Sequence, residues 1–213
     1  MVDTKPSREE IARIFNASAA KFMLGVAGLE QLPPADRQEF ALIGRSNVGK
    51  SSLFNAIFNN KELARVSNTP GRTQQLNFFD FGDGQAYIAD VPGYGFAKAP
   101  PAEVKKWQAV LRDYLRGRVN LRRAFLLIDS RHGIHKTDLE MMEMLDIAAV
   151  TYQVVLTKVD KITPPALTKV LAETETKLAK HAAAVPTVIV TSSEKMQGID
   201  DVRIAILTIL AEH

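Results

Sequence analysis

The sequence predicts a three-layer α/β fold: a mostly parallel six-stranded sheet with one antiparallel strand and helices on both faces. Three observations predict it. From Glu39 onward, short apolar runs alternate with segments of helical periodicity. One pair of runs is joined only by Gly82-Asp83-Gly84, a hairpin signature that makes that pair antiparallel. The remaining connections carry helices, which implies parallel strands and right-handed crossovers.

Element by element, strands are expected at 39–43, 76–81, 86–90, 123–129, 151–157 and 185–191, and helices at 50–59, 102–118, 137–148, 164–182 and 199–211. Thr137 with Glu140 has the spacing of a capping box, and Thr163 before Pro164 reads as an N-cap with proline in the first turn. In the helix at 102–118, Val104, Trp107, Leu111, Tyr114 and Leu115 share one stripe, a core-facing pattern. Ahead of these, residues 1–38 read as an N-terminal extension to a nucleotide-binding domain at 39–213. Ser7 and Glu10 box the start of a short helix over about 8–16. Phe22-Met23-Leu24-Gly25 is a candidate edge strand, and Leu32-Pro33-Pro34 ends the extension.

The 213 residues are 46% apolar and 24% charged, enough for one well-buried domain. No cysteine is present, which excludes disulfides and thiolate metal sites. No apolar stretch reaches the ~20 residues that span a bilayer, so stable membrane insertion is not expected. The N-terminus is polar rather than a secretory signal, and a cytoplasmic, monomeric protein is expected. The net charge of +3 permits an anionic partner without requiring one.

The chemistry centres on Gly44-Arg45-Ser46-Asn47-Val48-Gly49-Lys50-Ser51, with Ser52 beside it in the following helix. A glycine-bounded loop between strand and helix, of the form GxxxxGK[ST], cradles nucleotide phosphates with its backbone N–H groups. Lys50 would reach the β- and γ-phosphates, the Ser51 hydroxyl would bind Mg²⁺, and the helix mouth adds its positive dipole end. Asp90-Val91-Pro92-Gly93 closes the third strand. An aspartate there can hold a Mg²⁺-bound water, while the Gly93 N–H meets the γ-phosphate. Upstream, the polar loop with Gly71-Arg72-Thr73-Gln74-Gln75 is the natural first switch. Thr69 and Thr73 both qualify as a second Mg²⁺ ligand; Thr73 is preferred because it sits just before the strand.

Thr157-Lys158-Val159-Asp160 follows the fifth strand. Both oxygens of Asp160 can accept from N1–H and the exocyclic amine of guanine, whereas adenine would leave a shielded carboxylate unpaired. The Lys158 stem can lie along the base while its ammonium returns to the phosphate loop. Thr157 stands where the usual NKxD pattern has asparagine; a hydroxyl still bonds but lacks the amide's paired donor and acceptor. Thr191-Ser192-Ser193 ends the last strand, where a backbone N–H can meet guanine O6 and the serines can support Asp160.

The ordered set indicates a GTPase of the Ras-like P-loop class. More narrowly, GRSNVGKS, TPGRTQ at Thr69–Gln74, DVPGYG at Asp90–Gly95, DSRH at Asp129–His132, TKVD at Thr157–Asp160 and Ser192-Ser193 resemble the EngB (YihA/YsxC) bacterial ribosome-biogenesis GTPases. The resemblance implies GTP and GDP as ligands, Mg²⁺ held by Ser51 and Thr73, and a GTP-driven step in assembling the large ribosomal subunit from its rRNA and proteins. It also implies a link to cell division and septation. A nucleotide-gated scaffold at the division site is the alternative, and a metabolic P-loop ATPase or kinase a more distant one.

The position after the DxxG glycine, a water-orienting glutamine in many small GTPases, is Tyr94. Intrinsic hydrolysis is therefore expected to be slow until a partner completes the site around Lys50, Thr73 and Gly93. Asn47 permits a K⁺ ion beside the phosphates, and Arg72 could act as a finger in cis. Arg112, Arg116, Arg118, Arg122 and Arg123 form the densest basic cluster, either complementing a helix C-terminus or meeting RNA phosphates. Asp80-Phe81-Gly82 is a strand end rather than a kinase triad, and His132 and His135 suit a loop role better than a metal site.

Overall fold

The computed structural model describes residues 6–64, 75–95 and 101–212. Its strands are β1 (Ala20–Val26), β2 (Gln38–Gly44), β3 (Leu76–Phe81), β4 (Ala86–Asp90), β5 (Leu121–Asp129), β6 (Tyr152–Thr157) and β7 (Ile189–Val190). They form one sheet in the order β1-β3-β4-β2-β5-β6-β7. Only β3 runs against its neighbours; the rest are parallel to the central β2. The described sheet thus has seven strands rather than six. The seventh is the candidate edge strand, whose antiparallel pairing with β3 shifts register between Phe22 and Leu24. Such a bulge bends an edge away from further pairing.

Helices α3 (Pro101–Gly117), α4 (Lys136–Ile147) and α5 (Pro164–Leu178) cover one face. Helices α1 (Arg8–Ile14), α2 (Lys50–Ile57) and α6 (Ile199–Ala211) cover the other. Successive strand side chains point to opposite faces, so Ala41 and Ile43 enter the first core and Phe40 and Leu42 the second. Burial on both sides is why these strands read as continuous apolar runs rather than alternating ones. The α3 stripe of Trp107, Leu111, Tyr114 and Leu115 is buried. Phe15 stacks on Phe81 at 5.1 Å and Phe54 lies 4.6 Å from Phe79, so rings fasten the N-terminal segment and α2 to the sheet. Among the described residues, no helix is long and apolar enough to cross a membrane.

Four local expectations change. The N-cap of α4 is His135, whose backbone N–H donates to Asp138 at 2.8 Å; Thr137 already lies inside the helix. A carboxylate at the third helical position captures the cap just as Glu140 would have two residues later. Strand β7 keeps only two residues of the seven expected, because Pro186 offers no N–H to the ladder. Helix α5 stops at Leu178 instead of 182: His181 binds Asp146 at 2.6 Å, and the other Asp146 oxygen takes the Ala183 N–H, drawing the chain toward α4.

The fourth change concerns Arg118, which leaves the basic cluster for the interior. It donates to Glu39 at 2.6 and 2.8 Å and to the Pro33 carbonyl at 2.7 Å, while Tyr114 donates to the same carboxylate. Glu39 is fully buried. Burial pushes its carboxyl upward, and the bonds from Arg118 and Tyr114 oppose that shift. Removing either member of the Glu39–Arg118 pair would leave a buried charge, at a cost of roughly 3–5 kcal/mol. Arg112, Arg116 and Arg122 remain exposed.

Candidate functional site

The described motifs lie at or just beyond the carboxyl ends of the parallel strands, where open α/β sheets bind ligands. The phosphate loop leaves β2 at Gly44 and enters α2 at Lys50. Asn47 (φ 63°) and Gly49 (φ 105°) take left-handed backbone conformations that curl the loop, and Val48 is buried beneath it. Concave runs of this kind present successive N–H groups to an anion, and the first-turn N–H groups of α2 have no helical partner of their own. The Lys50 ammonium forms an ion pair with Asp90, the last residue of β4, and both side chains are largely buried. Ser52 is exposed in the first turn of α2.

On the switch side the DxxG segment is zipped to the loop by backbone. The Val91 N–H donates to Leu42 (3.1 Å), Tyr94 to Gly44 (3.2 Å) and Ser46 to the Tyr94 carbonyl (3.0 Å), extending the β2–β4 ladder beyond the strands. A side chain at Gly93 would place its Cβ 2.9 Å from the Ser46 nitrogen, so only glycine permits this approach. Pro92 is half-buried beside it. The Tyr94 phenol donates to Asp138 Oδ1 at 2.6 Å. Burial holds that phenol far above its ordinary pKa, with the Asp138 charge adding to the shift. Tyr94 is therefore neutral, and its hydroxyl is committed to α4.

On the base side, side chains make the connections. The Thr157 hydroxyl, buried, donates to the Val48 carbonyl at 2.6 Å. One hydroxyl bond into the phosphate loop thus does what the threonine retains of the asparagine's role. Lys158, itself left-handed at φ 59°, sends its ammonium to the Asn47 carbonyl and to Asp129 Oδ2 (2.8 Å). Asp160, in the single 3-10 turn Val159–Lys161, accepts from the Ser192 hydroxyl at 2.5 Å, and Lys161 lies 3.1 Å from its other oxygen. The Ser192 bond holds the Asp160 carboxyl below the usual range, in the ionised form that accepts from two guanine N–H groups. Thr191 is wholly buried and joins β7 to β6 through its hydroxyl on the Leu156 carbonyl (2.9 Å); Ser193 is half-buried next to it.

The predicted residues Gly71, Arg72, Thr73 and Gln74, together with Thr69, lie outside the described residues. Gln75 lays its side chain over Gly25 of β1. Two connections escaped the sequence reading. Asp129 ends β5 as Asp90 ends β4; the DSRH motif marked the residue, but not its bond to Lys158. Asp138 was hidden because the capping pattern was placed on Thr137 and Glu140. Asp129 accepts from Arg131 through both guanidinium arms (2.9 and 2.7 Å) as well as from Lys158. Burial raises its carboxyl, but the bonds from Arg131 and Lys158 outweigh that and keep it well below the usual carboxylate range.

The sheet order, the phosphate loop and the ionised Asp160 at the strand end beside it are the arrangement of a P-loop GTPase, an enzyme that hydrolyses GTP. Residues 39–158 match the family model described as "50S ribosome-binding GTPase". "Probable GTP-binding protein EngB" of Ruegeria sp. (strain TM1040) is 53% identical over 194 residues, covering 91% of this chain and 89% of that protein. The protein of the same name from Caulobacter vibrioides is 50% identical over 204 residues, covering 96% and 89%. With relatives this similar along nearly its whole length, the chain belongs to the EngB family of GTP-binding proteins. A crystal structure of a probable GTP-binding protein engB superposes with a TM-score of 0.66 at 22% identity, covering 82% of this chain and all of that one. Era solved with MgGDPNP and nucleotides 1506–1542 of 16S ribosomal RNA shares the fold at a TM-score of 0.58 and 23% identity, covering 81% and 55%.

Proposed function

We propose that this GTPase is a nucleotide switch in assembly of the large ribosomal subunit, acting in the cytoplasm as a monomer and hydrolysing Mg²⁺·GTP. One observation carries the reading: Tyr94 occupies the position of the water-orienting glutamine, and its only polar side-chain atom is bound to Asp138. The chain by itself lacks a group there to orient the attacking water, so turnover waits on a partner. A ribosomal partner is supported by the description of the matched family model, "50S ribosome-binding GTPase". Exposed Arg112, Arg116 and Arg122 supply cations for ribosomal RNA phosphates, a contact that weakens as salt rises.

Magnesium fits the donors present. The Ser51 hydroxyl and the Asp90 carboxylate are hard oxygen groups, and Mg²⁺ is held by one or two such groups together with nucleotide phosphates. When bound, it neutralises charge between the β- and γ-phosphates. Thr73 is the second proposed ligand. With nucleotide bound, Lys50 would exchange Asp90 for the phosphates, and the Asp90 carboxylate would be free to hold a metal-bound water. A K⁺ ion beside Asn47 would add charge compensation; equal turnover in Na⁺ and K⁺ would remove it.

Sedimentation with purified ribosomal subunits tests the assembly role. The expected result is association with the large subunit in a non-hydrolysable GTP analogue and release in GDP, with turnover stimulated by the same particles. Binding only to the small subunit, or association indifferent to nucleotide, would overturn it. The link to division and septation is then read as downstream of ribosome supply, and recovery with division-site proteins instead of ribosomes would favour a scaffold.

A further inference from the structure

Lys158, like Thr157 before it, bridges the base-selecting segment and the phosphate loop: it precedes Asp160 by two residues and bonds the Asn47 carbonyl. A lysine stem has four rotatable bonds, and an ammonium is a point charge with no preferred direction. Something must therefore hold it. The Asn47 carbonyl is one anchor; the other is Asp129 Oδ2 at 2.8 Å, from the adjacent strand end. Asp129 is itself fixed. Its side chain is 13% exposed, and its oxygens take the Arg131 guanidinium in a two-pronged pair and the Arg131 backbone N–H at 3.1 Å.

We infer that Asp129 is a positioning residue for guanine-nucleotide binding, acting through Lys158: its carboxylate fixes the ammonium against Asn47 and so holds the lysine stem where the base must lie. Arg131, 43% exposed, orients the carboxylate from the solvent side. The inference rests on guanine being selected by Asp160, and it assigns the DSRH segment a role that base selection alone does not give it.

Because the base is common to GDP and GTP, loss of Asp129 weakens both equally. Asp129→Asn keeps an oxygen for the Arg131 N–H but replaces the charge. It is expected to weaken GDP and GTP about tenfold each, the value of a hydrogen bond to a charged group, while the nucleotide-free protein stays folded with a modestly lower melting temperature. In a Lys158→Ala background the same change is expected to cost less than about twofold, because its only route is gone. Arg131→Ala, which leaves the Asp129–Lys158 pair in place, is expected to change affinity by less than about twofold. Additive effects of Asp129→Asn and Lys158→Ala, an Arg131→Ala loss as large as that of Asp129→Asn, or affinity unchanged in Asp129→Asn would each overturn the assignment. Calorimetry of the parent protein with GDP against ADP separates this from a failure of guanine selection itself. Equal binding of the two would refute the role of Asp160, whereas guanine preference with uncoupled Asp129 would refute only the positioning role.

Discussion

The phosphate loop is gripped from two sides, and the grips differ in kind. On the base side, Thr157 and Lys158 reach across from β6 and place side-chain donors on the Val48 and Asn47 carbonyls. On the switch side, the DVPGYG segment adds backbone hydrogen bonds to Gly44 and Ser46; its Asp90 carboxylate pairs with Lys50, and its Tyr94 side chain runs to α4 instead of the loop. The Thr157 hydroxyl and the Lys158 ammonium bond loop carbonyls that a nucleotide phosphate cannot satisfy in their place, whereas the Lys50 ammonium can exchange Asp90 for phosphate. A backbone ladder at a strand end can open and exchange its partners for water or phosphate at small cost. The base grip is therefore suited to permanence and the switch grip to release, within one loop of eight residues.

The sharpest way to break this comparison is Asp160→Asn. Without two carboxylate oxygens for the guanine N–H groups, GDP and GTP affinity should fall at least about a hundredfold, and xanthine nucleotides should gain, since an amide can donate to the xanthine C2 oxygen. Competition binding measures both. Next in size is Thr157→Val, which fills the same volume but strands the Val48 carbonyl. A loss of about 1–3 kcal/mol is expected, read as a lower melting temperature and weaker GDP and GTP binding in equal measure.

Tyr94→Phe tests the other side. It removes the hydroxyl from Asp138, itself almost fully buried, and should destabilise the fold by about 1.5–3 kcal/mol. GDP affinity should stay within about twofold, while the ratio of GDP to GTP affinity shifts, because the tether acts on the switch segment. A uniform loss of both nucleotides would erase the distinction between the two grips.

The smallest effect is in pH. The folded carboxyl of Asp129 lies below its unfolded value, so its contribution is fully present above the ordinary carboxylate range and is lost only as pH falls through the folded value. Wild type and Asp129→Asn should thus differ in stability by a constant amount from about pH 5 to pH 8, converging only in stronger acid.

Much of this site was legible in order along the chain. GRSNVGKS, DVPGYG and TKVD each sit at a strand's carboxyl end because phosphate, metal and base chemistry need particular atoms on short, rigid connections. The hairpin at Gly82-Asp83-Gly84 and the α3 stripe were readable for a similar reason, since both are local patterns. Helix and strand ends were less so. Pro186 truncates β7 visibly in hindsight, but the pull of Asp146 on His181 joins residues 35 apart and leaves no local mark. The cluster of arginines misled as one patch: Arg118 differs from Arg116 only in facing Glu39 across the fold.

By itself, then, the sequence determined the class of ligand, the topology around it and the strand-end places of the site motifs, because each depends on residues within a few positions of one another. Tertiary structure alone decided that Asp129 meets Lys158, that Tyr94 turns to Asp138 and that Arg118 is internal. Those are encounters between chain segments 29, 44 and 79 residues apart. No short-range pattern encodes such meetings; they arise only when strands paired side by side bring their ends together and a buried charge or hydroxyl must find whatever partner the packing has placed there.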